Sequence, residues 1–152
     1  MRNRFHTPGA ETGTTLVELL IVVSCAAVVL GGAVPGYVRI SQEWRLRGGA
    51  DLVFMSLHWG RSHAVAANTS LALQVSDDGQ SVCWLDPGRN EIFRSSVRHL
   101  PPGVRIVSAP RRPVRFYPRG NAAPAGTYVI RGESGGYRVV VSPVGRIRTE
   151  RE

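Results

Sequence analysis

From Leu16 to Val34 the chain runs nineteen residues, LVELLIVVSCAAVVLGGAV, with one charged side chain, Glu18. As a helix rising about 1.5 Å per residue, the run is roughly 28 Å long, which matches the hydrocarbon thickness of a bilayer. It predicts a membrane span. No second run of eighteen apolar residues follows, so a single pass with a folded C-terminal domain is expected. The carboxylate is the anomaly. Placing it in hydrocarbon costs on the order of 2.5 to 3.5 kcal/mol, which calls for a partner. The next downstream cation is Arg39, and so the partner is sought on another molecule. The competing reading has Glu18, near the start of the span, simply reaching the membrane surface.

Residues 1–13, MRNRFHTPGAETG, are polar and carry Arg2 and Arg4. A secretory signal peptide has an apolar core of about 7 to 15 residues closed by a small-residue cut site, and this longer core has no such ending. Charge does not set the orientation, because Arg39, Arg45 and Arg47 follow the span as closely as Arg2 and Arg4 precede it.

Beyond the span, apolar residues at Leu46, Ala50, Val53, Phe54, Leu57, Ala64 and Ala67 recur at helical spacing. The helix is therefore expected to continue over 37–67, with a bend or frayed turn at Gly48-Gly49. Met55 and Trp59 are read as packing residues. After Asn68 the period changes to two. SLALQVS and SVCWLD flank an Asp77-Asp78-Gly79 turn, and GVRIVS, PVRFYP, GTYVIRG and YRVVVS follow between Gly and Pro punctuation. Six or seven antiparallel strands stacked on a helix are expected, an α+β fold. The organisation is then 1–13, a leader; 14–36, the span; 37–67, the amphipathic continuation; and 68–152, a β-rich domain.

All nineteen cations are arginine, and the formal charge is +8. From Arg105 onward ten arginines face three glutamates, whereas the stretch from Arg39 to Val104 is nearly balanced. A one-sided basic surface attracts polyanions or anionic headgroups, although solubility is the commoner reason for scattered arginine. Cys25 and Cys83 fall in different regions and are read as free, buried thiols. His6, His58, His63 and His99 are scattered, no CxxC or HExxH is present, and no metal site, cofactor or nucleophile motif is expected.

The segment G-TTLVELLIVV resembles the processing site of type IV prepilins and type II secretion pseudopilins. The resemblance implies cleavage after Gly13 by a prepilin peptidase, an N-methylated Thr14, and Glu18 as the fifth residue of the mature chain. Members usually have phenylalanine where Thr14 stands. Pro35 falls where the family commonly has a helix-bending proline. In a filament of packed helices, Glu18 of one subunit would neutralise the Thr14 amine of its neighbour. The implied location is the bacterial inner membrane, with the C-terminal domain periplasmic and the other pilin or pseudopilin subunits as partners.

Three further segments, WGRSHAVAANTSLALQV, RFYPRGNAAPAGTYVI and YRVVVSPVGRIR, occur in the order found in the GspH/FimT group of minor pilins and pseudopilins, which the chain resembles over nearly its whole length. The resemblance implies a long N-terminal helix packed on two antiparallel sheets and a structural, non-enzymatic filament subunit. In FimT-type members a C-terminal G-R-x-R motif is associated with DNA binding, and GRIR, Gly145 to Arg148, matches it. In an extended segment Arg146 and Arg148 project to the same side, with Arg138 as a candidate neighbour. The alternative is that the motif only ends the last strand, with solvated arginines. A secretion pseudopilus and a DNA-capturing pilus both remain open.

Overall fold

The computed structural model describes residues 15–88, 91–93 and 96–152. The expected cut site, Gly13 and Thr14, lies outside the described residues. The chain divides at Val38 and Arg39 into two compact units.

The first unit is helical from Leu16, the start of α1 (Leu16–Ala66). Thr15 caps it. Its Oγ1 accepts the Glu18 N–H at 3.3 Å, and its carbonyl accepts the Leu19 N–H at 3.2 Å. Threonine followed three residues later by glutamate is the capping-box spacing, and a carboxylate in the first turn also suits the helix dipole. Every side chain from Leu16 to Gly31 is exposed, on a segment of mean hydropathy 2.4. Among the described residues of this unit nothing covers that surface, which suits lipid or neighbouring helices.

In the second unit α1 runs unbroken through Gly48-Gly49, against the expected bend or fray. Gly49 is buried where α1 presses on the loop from Pro101 to Val104: a Cβ there would lie 2.7 Å from Val104 Cγ1. Packing therefore offsets the poor helix propensity of the pair. The expected face is the buried one, with Leu46, Ala50, Val53, Leu57 and Ala64 nearly inaccessible, Phe54 half-buried and Ala67 exposed. The helix ends in a Schellman arrangement. Asn68 adopts φ 50°, Thr69 N–H donates to Ala64 at 3.1 Å and Asn68 N–H to Val65 at 3.4 Å.

The strands are β1 (Leu71–Val75), β2 (Ser81–Asp86), β3 (Glu91–Ile92), β4 (Arg98–His99), β5 (Arg105–Ser108), β6 (Arg115–Phe116), β7 (Ala122–Ala123), β8 (Gly126–Gly132), β9 (Gly135–Val141) and β10 (Ile147–Arg151). All pairings are antiparallel. One sheet has the order β3-β2-β1-β6-β7, with β4 also on β2, and the other β10-β9-β8-β5. Among the described residues ten strands exceed the six or seven expected: β3, β4 and β7 have two residues each, too few to show alternation, and β10 carries one apolar residue in five. The Asp77-Asp78-Gly79 hairpin forms as expected, with Val75 opposite Val82.

One core joins α1 to both sheets, through Leu71, Leu73, Trp84 and Phe116 on the first and Tyr128, Ile130, Val139 and Val141 on the second. Gly60 sets the closest approach, since a Cβ there would lie 2.1 Å from the Trp84 ring. Met55 and Trp59 are not core residues. They are 65% and 44% exposed and sit at the core's edge, where the Trp59 ring packs on the buried Trp84 with centroids 6.2 Å apart. Trp59 stacks on His63 at 4.9 Å. Both cysteines are free, but Cys25 is exposed on the apolar helix and Cys83 is half-buried, its thiol pushed up by desolvation.

Candidate functional site

Alternation along the second sheet sends Tyr128, Ile130, Val139, Val141 and Ile147 inward, so the residues between them face out. In register, Arg105 stands opposite Arg131, Arg138 opposite Val129 and Glu150, and Arg148 opposite Val140. Arg146 precedes β10 by one residue, on the same side as Arg148 and likewise exposed. The three arginines singled out from sequence thus share one outer face, with Glu150 interposed beside Arg138. Arg105 and Arg131 share it too, and sequence reading missed them. Their outward alternation within GVRIVS and GTYVIRG was the available signal.

The face is not uniformly basic. Arg131 Nη2 lies 3.1 Å from Glu152 Oε2. That bond holds the Glu152 carboxyl below the usual carboxylate range and the guanidinium above its own. Both groups are solvated enough that the pair contributes little to stability.

The turn carrying the motif is held from three sides. Ser142 N–H donates to the Arg146 carbonyl at 2.9 Å, Gly145 N–H to the Ser142 carbonyl at 2.9 Å, and Arg146 N–H to Ser142 Oγ at 3.1 Å. Gly145 has φ 77°, and a Cβ on it would lie 2.0 Å from the Gly120 carbonyl oxygen. That oxygen accepts Arg61 Nε–H at 3.0 Å, from the last turns of α1. Ala122 N–H completes the junction by donating to the Pro143 carbonyl at 2.9 Å. The glycine of G-R-x-R is thus a packing residue, whereas both its arginines are displayed. Arg61 was not anticipated. Its signal was a cation placed among the buried positions of the helix end, between Leu57 and Ala64.

At the other end of the chain Glu18 occupies the first turn of α1 and, among the described residues, no cation lies within ion-pair distance of it. Pro35 falls within α1. Among the described residues no three His, Cys, Asp or Glu side chains are grouped.

The family model for the type II transport protein GspH matches residues 49–145. The solved type IV minor pilin FimU of Pseudomonas aeruginosa superposes with a TM-score of 0.62 at 18% identity, over 73% of this chain and 92% of its own. The minor pseudopilin EpsH of the type 2 secretion system of Vibrio cholerae gives 0.58 at 12% identity, over 70% and 97%. Comparison with curated proteins produced no match. The family match runs from the buried Gly49 to the motif glycine Gly145 and so takes in the end of α1 and both sheets up to the β9–β10 turn; the chain belongs to the GspH family of pilin-like proteins.

Proposed function

We propose that the chain is a structural minor subunit of a filament assembled from the bacterial inner membrane, with Arg39–Glu152 as its periplasmic head. The observation that carries this reading is the wholly exposed apolar helix from Leu16 to Gly31, which bears a carboxylate in its first turn and leads in sequence to a folded pilin-like domain. In this reading a prepilin peptidase cuts after Gly13, and Thr14 becomes the N-methylated first residue. In the assembled filament Glu18 meets the Thr14 amine of a neighbouring subunit. Two buried charges then become one paired unit, and breaking it leaves an uncompensated charge worth several kcal/mol, which selects registered packing.

The head resembles both a type IV minor pilin and a type II secretion pseudopilin. A role in filament tip assembly and protein secretion, or in pilus assembly, follows accordingly. The second reading, DNA capture, is favoured by the outward arginines of the four-stranded sheet. Guanidinium groups bind phosphate oxygens bidentately and hold a backbone without reading bases. Intact-mass measurement on membranes from cells with a prepilin peptidase tests the first reading. The mature chain should begin at methylated Thr14, Gly13→Val should leave the full-length chain, and any other start would sink the assignment.

A further inference from the structure

Three glycines lie in α1 within the second unit, Gly48, Gly49 and Gly60, and the fold uses two of them. A Cβ on Gly49 would meet Val104 and one on Gly60 the Trp84 ring, whereas a Cβ on Gly48 would meet nothing within 4 Å. Glycine weakens a helix interior, so a position that its own molecule leaves empty calls for another reason. Gly48 is exposed, and Trp44 one turn before it is 69% exposed. At i and i+4 they share one face, a bulky ring beside a notch. Arg47 and Asp51 have the same spacing on that side of the helix and are both exposed. Among the described residues neither is in an ion pair, and a cation four residues before an acid is the less favourable order for a pair within one helix.

We propose that this face docks on the same face of a second copy, the two helices parallel and staggered by four residues. Trp44 of one chain then fills the Gly48 notch of the other, and Arg47 of the first meets Asp51 of the second. Both pairs ask for the same offset, a slide of about 6 Å. With no stagger Arg47 would face Arg47 and Asp51 would face Asp51, which repel. In the antiparallel arrangement, Trp44 on Gly48 would bring Arg47 against Arg45 of the other copy instead of Asp51. The parallel stagger also lays Ile40, 59% exposed, on Trp44 of the second copy. The missing Cβ gives the indole a hole to enter, as knobs enter holes between packed helices. The contact lies in the second unit alone and goes beyond the reading of the apolar segment.

The test is self-association of the full chain in detergent micelles, followed by sedimentation equilibrium beside thermal melts of each variant. Wild type should associate reversibly. Gly48→Ala should raise the melting temperature and yet weaken association about threefold, and Gly48→Leu and Trp44→Ala should weaken it about tenfold. Arg47→Asp and Asp51→Arg should each weaken association. A mixture of those two variants should associate more tightly than either alone, because opposite charges then meet between copies, an effect that a pair within one helix does not produce. A nitroxide on Ser62→Cys, in a chain carrying Cys25→Ser and Cys83→Ser, reads the direction. Parallel copies put the two labels within about 25 Å, and antiparallel ones about 45 Å apart. A chain that stays monomeric overturns the contact. Association untouched by Gly48→Leu and Trp44→Ala places it on another surface and overturns the proposal, as do labels at the antiparallel separation.

Discussion

Gly145 illustrates how one residue type can be mistaken for part of a binding signal. Two requirements fall on it, a φ of 77° and an approach to the Gly120 carbonyl too close for a Cβ. Gly103 meets only the first, with φ 80° and open space around it. Gly145→Ala should therefore cost about 2 to 4 kcal/mol, and Gly103→Ala about 1, as read from thermal melts. Equal losses would show that the contact with Gly120 relaxes freely. The motif was legible as G-R-x-R, but the division of labour within it was not, because Arg61 and Gly120 lie far from Gly145 in sequence. The Arg131–Glu152 pair gives a smaller effect with a definite sign. Its carboxyl is depressed in the folded chain. The stabilisation is therefore complete above the ordinary carboxylate value and is lost as pH falls through the folded one. The melting difference between wild type and Glu152→Gln should shrink on acidification below about pH 4.5; a constant difference would mean that the pair contributes nothing through ionisation.

At the scale of the element, α1 is one helix with two kinds of surface. Its core stripe was readable because apolar residues recur within one turn from Leu46 to Leu57 and again two turns on at Ala64. The glycines were not readable, since composition alone cannot separate a weak helix position from a contact. Gly48 has nothing within 4 Å of a Cβ, whereas Gly60 would collide with Trp84. Gly48→Ala should stabilise by up to about 1 kcal/mol, and Gly60→Ala should destabilise by about 1 to 3 despite the same gain in propensity. Denaturant midpoints of the two variants should move in opposite directions. Of the two residues read as packing, Trp59 packs on Trp84 and His63 while Met55 stands exposed: apolar character marks what prefers burial, and only the placement of the sheets says which side is covered. In the apolar segment, Glu18→Val removes the carboxylate and keeps the length. Membrane fractionation should show normal insertion, and complementation of a deletion should fail. Normal filament assembly by that variant would leave Glu18 as a residue that only reaches the membrane surface.

For the whole molecule, half of the ten arginines from Arg105 onward, Arg105, Arg131, Arg138, Arg146 and Arg148, gather on the outer face of β10-β9-β8-β5. If that face binds duplex DNA, affinity should be indifferent to sequence and fall with salt at about 0.9 per phosphate neutralised. Replacing Arg146 and Arg148 together with Gln should flatten the slope by about two units. Replacing Arg45 and Arg98, on α1 and on the other sheet, provides the charge-matched control. Equal losses would indicate diffuse attraction, and no binding at low salt would remove DNA capture. The helix-then-strands order was legible from the change of period, whereas the split into two sheets came from the family resemblance, because pairing between distant short strands leaves no local trace. The arginines of β10 have one further consequence, independent of any ligand. β10 is the last strand of its sheet, with a partner on one side only, and such an edge invites the edge of the next molecule to zip onto it. In the filament proposed above, neighbouring subunits would meet at such edges. Along Ile147–Arg151 only the isoleucine is buried, and the other four side chains, Arg148, Thr149, Glu150 and Arg151, stand exposed. A second copy of that strand laid alongside would have to desolvate this charged fringe, so the chain's last strand is insulated against amyloid-like stacking by the same side chains that make it basic.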